Sequence, residues 1–264
     1  FLSRPHFRSW VAAEYKNTFV SSIPWSYRLY RLTWSGLDLL FPPVCGGCGK
    51  AGFRWCPSCQ GRVPRIVEPF CEKCGIPVRK IGLCEKCQTN PPAYRLMRSW
   101  AVFDSPVQNA LHTLKYRRNI GLGDSIGCQM VDFVLSLKWD IDVVVPAPLG
   151  RQRLKERGYN QVGLVAQPLA YELGLEYAPQ ALWKARETRS QVGLTISQRH
   201  ENVSQAYQAN PSAVKRKSIL LMDDVATTGS TISACTEALL SAGAAAIYAL
   251  TIARALSHHD LTRV

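Results

Sequence analysis

The sequence predicts an α/β fold in which a parallel β-sheet is flanked by helices, with a smaller cysteine-rich module in front of it. Residues 141–264 carry short aliphatic segments ("DVVVPAP", "SILLMDD" and "AIYALTI") that alternate with amphipathic helical patterns. Strands and helices that alternate in this way form parallel sheets through right-handed crossovers. Eight of the ten cysteines fall within residues 45–87, which sets that module apart. A chain of 264 residues is long enough for both units.

The composition is that of a folded protein. Apolar residues make up 47% of the chain and charged residues 19%, which argues against wholesale disorder. The sequence has no uninterrupted apolar run of transmembrane length. Near its start, Glu14 and Lys16 fall where a signal peptide would need an apolar core. We therefore expect a cytoplasmic protein without a transmembrane segment.

The positive charge is concentrated in the front part of the chain. The formal net charge is +13, and residues 1–100 hold 15 Lys and Arg against 5 Asp and Glu. Residues 101–264 hold 17 against 14. Such a surplus is typical of proteins that bind a polyanion such as nucleic acid, although solvated surfaces carry it too.

We divide the chain into three parts. Residues 1–40 are an aromatic and basic N-terminal docking segment, residues 41–90 the cysteine-rich module, and residues 91–264 the α/β domain. At the start of this domain we expect a strand in "RSWAVFDSP" and then two helices split at Gly121 and Gly123. In the first part, apolar positions at near-helical spacing predict a docking helix, namely Leu29, Leu32, Leu37 and Leu40.

Four CxxC pairs predict two zinc sites. Two intervening residues let both sulfurs of a pair face one ion across a tight turn, and two pairs complete a tetrahedral site. Since thiolates would close all four positions, zinc is expected to be structural, and we favour this over a redox dithiol or a disulfide. The spacing leaves open which pairs share an ion. The predicted ligands are Cys45, Cys48, Cys56, Cys59, Cys71, Cys74, Cys84 and Cys87.

The two remaining cysteines lie outside the module. Cys128 and Cys235 stand alone in apolar surroundings and are predicted to be buried core thiols.

The aromatic residues of the module allow two interpretations. Phe53 and Trp55 are interleaved with arginines and would suit a single nucleic-acid strand by stacking. They would equally serve as the core of a small module. The sequence leaves both interpretations of the aromatic residues open.

The stretch "LLMDDVATTGST" predicts a site for a phosphorylated sugar. In a parallel sheet, ligands bind outside the carboxyl ends of the strands, and this strand ends in Asp223 and Asp224. A helix pattern that Ser230 or Thr231 can cap follows, so the hydroxyl-rich turn with Gly229 lies at a helix N-terminus that favours an anion. The two acids can accept hydrogen bonds from vicinal hydroxyls or hold a hydrated Mg²⁺. Together these features suit a ribose 5-phosphate.

This stretch resembles the signature with which type I phosphoribosyltransferases bind phosphoribosyl pyrophosphate (PRPP). Cysteine pairs, "LKYRRN", "VVVPAPLGRQRLKERGYNQ", "RETRSQVGLTISQRHENV" and the PRPP-type motif follow one another in this order. The order and the residues of these motifs resemble the ComF family of competence-associated, ComFC/GntX-like proteins over most of residues 38–255. The resemblance implies a double zinc ribbon followed by a type I phosphoribosyltransferase-like parallel sheet.

The resemblance also implies roles for the matched positions. Asp223, Asp224 and Arg157 would be catalytic, with the acids at the ribose hydroxyls and at Mg²⁺, and the arginine beside the loop that closes over the ligand. In the variable middle segment, four residues match the family motif, but the sequence assigns them no role. They are Arg186, Gln191, Arg199 and Asn202. The implied PRPP-binding set is Lys115, Pro146, Ala147, Arg151, Arg153, Asp223, Asp224, Val225, Ala226, Thr227, Thr228, Gly229, Ser230 and Thr231.

We therefore expect a zinc-containing protein that binds PRPP with Mg²⁺ and, if active, transfers phosphoribosyl to an acceptor that the sequence does not reveal. The alternative is a non-catalytic accessory protein of DNA uptake, a role that the family resemblance implies, which binds single-stranded DNA through its basic zinc-ribbon part. A third interpretation is a zinc-stabilised scaffold that docks a helicase or a membrane machine of competence through residues 1–40.

Overall fold

The structure, a computed structural model, describes residues 42–185 and 206–256, together with Trp25, Tyr27, Leu29, Leu32 and Asp38. The strands are β1 (Leu96–Val102), β2 (Val143–Pro146), β3 (Glu176–Tyr177), β4 (Leu182–Lys184), β5 (Tyr207–Ala209), β6 (Ser218–Ala226) and β7 (Ala246–Arg254). The helices in these ranges are α1 (Pro57–Gly61), α2 (Glu85–Thr89), α3 (Val107–Tyr116), α4 (Gly121–Ser136), α5 (Arg151–Arg157), α6 (Gln161–Glu172), α7 (Pro211–Val214) and α8 (Ser230–Ser241). None of the helices described is both long enough and apolar enough to cross a bilayer.

Five strands form one sheet in the order β1, β7, β6, β2, β3, while β4 and β5 pair in a separate antiparallel ribbon. Every neighbouring pair of the large sheet is parallel, which confirms the predicted fold class. Because parallel strands share one direction, the carboxyl ends of β2, β6 and β7 lie at the same edge of the sheet. This edge carries the loops in which the predicted motifs lie.

The sheet is covered on both faces, and successive residues of its central strands pack on opposite sides. In β6, Leu220 belongs to the cluster that includes α3, α4 and α6, whereas Ile219 belongs to the cluster that includes α8. Burial on both faces explains the uninterrupted aliphatic runs in the sequence. On α8, Cys235 is buried as predicted, but Cys128 on α4 is only partly buried, and its Sγ lies 4.0 Å from a carboxylate oxygen of Glu172.

The two helices predicted after the first strand are present as α3 and α4, but their predicted division at Gly121 and Gly123 is wrong. The break precedes both glycines, in a loop where Arg118 has a φ of 52°, and both glycines lie within α4. An added Cβ would fall 1.9 Å from a guanidinium nitrogen of Arg54 at Gly121, and 2.7 Å from the Cβ of Leu164 at Gly123. Close packing of α4 therefore overrides the weak helix propensity of glycine.

Among the described residues of the predicted docking helix, Tyr27 contacts the α/β domain. Tyr27 is buried, its ring centroid lies 4.8 Å from that of Tyr171, and its hydroxyl donates a hydrogen bond to Asp124. Leu29 and Leu32, which helical spacing placed on the docking face, are 50% and 69% exposed. Leu37 and Leu40 lie outside the described residues.

We expect Gly127→Ala to lower the free energy of unfolding by about 1–3 kcal/mol. The added methyl group would lie 2.5 Å from the carbonyl oxygen of Val165, where α4 and α6 meet. Urea unfolding followed by circular dichroism measures the change. Gly61→Ala is the matched control, since its Cβ position meets no atom within 4 Å, and its stability should change by less than about 1 kcal/mol. Equal stability of the two variants would contradict the inferred contact.

Candidate ligand site and metal centres

A cavity of about 620 Å³ opens at the carboxyl edge of the sheet, and we call it the ligand cavity. Its size is typical of small-molecule sites. Its walls come from the loops after β2 and β6, the end of α3, helix α5, the start of α6 and the β4–β5 ribbon. The lining residues are Lys115, Ala147, Pro148, Leu149, Gly150, Gln152, Arg153, Glu156, Arg157, Gln161, Val162, Lys184, Tyr207, Asp223, Asp224, Val225, Ser230 and Thr231.

Two neighbouring carboxylates from β6 form one wall, and contacts from other elements hold them in place. The Oδ2 atom of Asp224 lies 2.7 Å from the ammonium group of Lys115 and accepts a hydrogen bond of 2.9 Å from Gln161 Nε2. Its Oδ1 atom accepts from the backbone N–H of Val225 at 2.7 Å. The Oδ1 atom of Asp223 accepts from the backbone N–H of Asp224 at 2.8 Å. Both side chains are thus oriented by the protein itself.

Asp223 carries the unusual ionisation of this pair. Burial of its carboxyl group and the neighbouring charge of Asp224 raise the pKa of Asp223 to about 7, against the effects of a backbone N–H and of Lys115. Close by on α8, burial and the charge of Asp223 raise the pKa of the Cys235 thiol well above its ordinary value, so that thiol stays neutral. A carboxyl group that titrates near neutral pH inside a cavity is typical of ligand and catalytic sites.

The turn after β6 and the start of α8 form a loop rich in hydroxyl groups (residues 227–231), which we call the phosphate loop after the ligand group that the sequence predicts for it. Gly229 caps α8 with a φ of 77°, so the predicted caps Ser230 and Thr231 are instead the first two helical residues. The Oγ1 atom of Thr228 lies 3.1 Å from Ser230 Oγ and accepts from the Ser230 backbone N–H at 3.4 Å. Ser230 and Thr231 line the cavity, whereas Thr227 and Thr228 are exposed outside its lining.

The loop after β2 brings a second group of predicted residues to the same cavity. Pro146 ends β2, and the carbonyl oxygen of Ala147 accepts a hydrogen bond of 2.9 Å from Asn160 Nδ2 at the start of α6. Arg153 and Arg157 on α5 line the cavity. Arg151, at the first position of the same helix, is exposed and outside the lining. The structure thus brings together all predicted cations except Arg151.

Gln161 is a site residue that sequence reasoning missed. It is buried and joins two predicted residues, because its Oε1 accepts from Arg157 at 2.7 Å while its Nε2 donates to Asp224. It ends the segment "RGYNQ", so a motif signal was available. Lys184 and Tyr207 also line the cavity, but they come from β4 and β5, where no motif marks them. Other predicted positions lie outside the described residues, namely Arg186, Gln191, Arg199 and Asn202.

The eight paired cysteines form two clusters, each from neighbouring CxxC pairs. The four Sγ atoms of a cluster lie within 4.8 Å of one another. Burial raises the thiol pKa, but backbone N–H donors outweigh it and lower the pKa of Cys45 to about 6 and that of Cys71 to about 7. Closed sets of four sulfur ligands fit two structural zinc ions. The first cluster is Cys45, Cys48, Cys56 and Cys59, and the second cluster is Cys71, Cys74, Cys84 and Cys87.

The second cluster borders the ligand edge of the sheet. Arg254, the last residue of β7, is buried and donates from Nη1 to the carbonyl oxygen of Cys74 at 2.7 Å. Lys86, which lies between two ligands of this cluster, donates from Nζ to the carbonyl oxygen of Thr228 at 2.7 Å. The cysteine-rich module (residues 41–90), which we now call the zinc module, therefore packs on the sheet and contacts the phosphate loop directly.

The aromatic residues of the zinc module divide between the two interpretations that the sequence left open. Trp55 is buried in the core, whereas Phe53 is 40% exposed. Two arginines nearby form contacts within the protein. Arg54 forms an ion pair with Asp38 of the N-terminal segment. Arg65 lies 4.5 Å from the ring centroid of Trp100 and donates to its carbonyl oxygen at 2.7 Å.

Comparison with known proteins identifies the family. A family model described as "Double zinc ribbon domain" matches residues 36–88. The DNA utilization protein YhgH of Salmonella typhimurium is 30% identical over 228 residues, covering 83% of this chain and 100% of that protein. Competence protein ComFC of Bacillus subtilis is 25% identical over 237 residues, covering 84% and 90%. The chain belongs to the ComF family. This ComF protein thus combines a double zinc ribbon with a parallel α/β sheet, as predicted.

Solved structures of phosphoribosyltransferases are more distant from this ComF protein. Adenine phosphoribosyltransferase from Thermoanaerobacter pseudethanolicus has a TM-score of 0.34 at 16% identity, covering 55% of this chain and 85% of that chain. Glutamine PRPP amidotransferase from Bacillus subtilis has a TM-score of 0.35 at 18% identity, covering 55% and 27%. Similarity at this level says nothing about activity.

We expect two zinc ions per native chain, and one per chain in the Cys59→Ser variant, because that substitution removes one of the four sulfur ligands of the first cluster. Metal analysis by mass spectrometry gives the stoichiometry, and a thermal scan should show a lower Tm for this variant. Cys128→Ser is the matched control, since Cys128 belongs to neither cluster. Two zinc ions in the Cys59→Ser protein would contradict the assignment.

We expect Asp223→Asn to raise the stability of the ligand-free protein at pH 8 by on the order of 1–3 kcal/mol. The folded-state pKa of about 7 exceeds the ordinary 3.8, so ionisation disfavours the folded state. This penalty is complete above pH 7, shrinks as pH falls, and is absent below about pH 4. Thermal unfolding of native and variant protein from pH 5 to pH 8 measures it. A stability difference that does not grow with pH would refute the assignment.

Proposed function

We propose that this ComF protein binds PRPP together with Mg²⁺ at the ligand cavity and, in its active form, transfers the phosphoribosyl group. The observation that carries the proposal is the position of Asp223 and Asp224. These carboxylates lie beside a hydroxyl-rich helix N-terminus in one cavity that cations also line. A phosphorylated sugar has anionic groups for the cations and hydroxyl groups for the carboxylates.

The phosphate loop is suited to the 5-phosphate. The N–H groups in the first turn of α8 and the helix dipole favour an anion. Gly229 lets the backbone approach the ligand, and its φ of 77° is one that residues other than glycine rarely adopt. Ser230 and Thr231 present hydroxyl groups to the cavity. Binding energy from this remote phosphate can then serve to orient the reacting carbon.

The acidic pair is suited to the ribose hydroxyls and the metal ion. Carboxylate oxygens are the donors that Mg²⁺ prefers, and the 2.7 Å contact of Lys115 with Asp224 shows that a cation is already accommodated here. Bound Mg²⁺ would supply charge neutralisation for the diphosphate. Asp224 would orient the ribose, while Gln161 and Lys115 keep its oxygens in position.

The cations of α5 and α3 are suited to the leaving group. In the proposed transfer, the bond between the anomeric carbon and the pyrophosphate oxygen breaks, and the acceptor forms the new bond at that carbon. Negative charge then builds on the pyrophosphate, and Arg153, Arg157 and Lys115 would stabilise it. Arg157 is held by Gln161 and by the ring of Tyr116, which lies 5.3 Å from its guanidinium group.

Calorimetry with PRPP on zinc-loaded protein, with and without Mg²⁺, tests this proposal. We expect Mg²⁺-dependent heat from the native chain, and a loss of at least about tenfold in affinity for Asp224→Asn, which removes a charge that faces the ligand. Ser230→Asp should abolish binding, because its carboxylate would repel the 5-phosphate. Asp132→Asn is the matched control on the exposed surface of α4. Unchanged affinity in Asp224→Asn would sink the assignment.

A second candidate function is an accessory role in DNA utilisation or competence, which the names of the relatives favour. In this version, single-stranded DNA binds the zinc module, where Arg79 and Lys80 are exposed next to Ile81, itself 81% exposed. Replacing both Arg79 and Lys80 by Ala should then weaken retention on single-stranded DNA and reduce its salt dependence. Point substitutions are preferable to truncation, since the module packs against the sheet.

A further inference from the structure

A second cavity, which we call the side cavity, adjoins the ligand cavity and has a volume of about 480 Å³. This size suits a small organic ligand. It shares a charged wall with the ligand cavity, formed by Lys115, Arg153, Glu156 and Arg157. Its remaining lining residues are Tyr116, Arg118 and Tyr159. A molecule in the side cavity would therefore lie next to one in the ligand cavity.

Specific contacts join the two sides of the side cavity. The hydroxyl of Tyr159, just after α5, donates a hydrogen bond of 2.6 Å to the carbonyl oxygen of Leu114 in the last turn of α3. The guanidinium group of Arg157, at the end of α5, lies 5.3 Å from the ring centroid of Tyr116, at the end of α3. These contacts connect the helix ends that line the cavity and fix its shape.

The charge of the side cavity favours an anion. Four cations line it against one carboxylate, that of Glu156, which accepts a hydrogen bond of 3.0 Å from Gln152. Lys115 is paired with Asp224, whereas Arg118 and Arg153 are exposed on the walls. Arginine forks bind phosphate groups with two parallel hydrogen bonds, which makes phosphate the anion of choice here.

The strained backbone conformation of Arg118 also supports a ligand site at the side cavity. Its φ of 52° lies in the left-handed region, which residues with long side chains rarely adopt. Strain of this kind persists only where the surrounding structure imposes it, and it is common at ligand sites. In this protein it occurs in the tight turn between α3 and α4, and it places an arginine on the cavity wall.

The aromatic wall favours a flat, unsaturated group. Tyr116 is 64% exposed although it is a large aromatic side chain, and Lys115 and Arg117 flank it in the sequence. An exposed ring among cations is the arrangement with which proteins stack a nucleobase while neutralising its phosphate. The Arg157 guanidinium near the same ring leaves the stack positively charged.

We propose that the side cavity binds one nucleotide unit, with its base stacked on Tyr116 and its phosphate at Arg118 and Arg153. A free mononucleotide and a residue of a single nucleic-acid strand offer this same chemistry. The site is distinct from the zinc module, which holds single-stranded DNA in the alternative accessory function. It also requires no PRPP, so that this proposal and the proposed function fail independently.

The test uses the full zinc-loaded chain and two probes. Fluorescence anisotropy with a labelled oligothymidylate of about eight nucleotides measures strand binding, and calorimetry with thymidine 5′-monophosphate measures binding of the free nucleotide. Tyr116→Ala should weaken binding about tenfold, while Tyr116→Phe, which keeps the ring, should bind like the native chain. Arg118→Asn should also weaken binding about tenfold without loss of stability, because asparagine tolerates the left-handed conformation.

Three controls make the result specific. Arg216→Asn is the same substitution at another arginine with a left-handed backbone, φ 62°, outside both cavities, and should leave affinity unchanged. Replacement of Arg79 and Lys80 by Ala should also leave it unchanged, because neither residue lines the side cavity; weaker oligonucleotide binding in this variant would instead place the strand on the zinc module and contradict the side cavity. Ser230→Asp should abolish PRPP binding but preserve nucleotide binding, because the phosphate loop lies outside the side cavity.

Each outcome of these experiments either supports or refutes nucleotide binding at the side cavity. Loss of binding in Tyr116→Ala and Arg118→Asn, with intact binding in the three controls, supports the side cavity. Equal affinity for both probes then identifies a free nucleotide as the source, and preference for the oligonucleotide identifies a strand. Absence of binding by the native chain, native affinity in both variants, or loss of binding in Ser230→Asp would overturn the inference. PRPP titrations on the same samples report on the proposed function separately.

Discussion

The ligand edge of this ComF protein depends on two adjacent carboxylates at the end of a buried strand. Like charges so close together, and partly out of water, disfavour the folded state, and the pKa of about 7 at Asp223 expresses that cost. The structure offsets it at Asp224 with Lys115 from α3 and Gln161 from α6. The positions of these helices, and through them the walls of both cavities, are therefore tied to the acidic pair. An arrangement that is unfavourable without ligand is typical of sites built for a partner with complementary charge.

The double zinc ribbon is part of this architecture. Its first cluster belongs to the core on one face of the sheet and its second cluster to the core on the other. From the second cluster, Cys74 receives a hydrogen bond from Arg254, and Lys86 reaches the backbone of the phosphate loop. We therefore expect zinc binding to stabilise one border of the candidate site. Folding of the ribbon and order of the loop should be coupled through these contacts, since metal-ligand energy in such modules is folding energy.

The segment with the largest basic surplus does not supply the cations that line the cavities. The sequence puts the basic surplus in residues 1–100, but Arg54 and Arg65 there are engaged in contacts within the protein. The cations that line the two cavities lie instead on α3, α5 and β4 and in the turn after α3, all in the half of the chain with the smaller surplus. Net charge per segment indicates how strongly a region attracts polyanions. Where the anion binds depends on which cations the fold leaves facing a cavity.

By itself, the sequence determined the features that depend on short spacings. The aliphatic runs and intervening helices specified a parallel sheet, the CxxC pairs specified two closed metal sites, and "DDVATTGS" specified a turn at a helix start. Tertiary structure decided which CxxC pairs share a site, why Gly121 and Gly123 lie inside a helix, and which residues join the acids. Gln161 meets Asp224 across 63 positions of the chain and Lys86 meets Thr228 across 142. Spacing constrains the backbone over a few residues, whereas contacts at such separations exist only once the sheet, its helices and the ribbon have packed together.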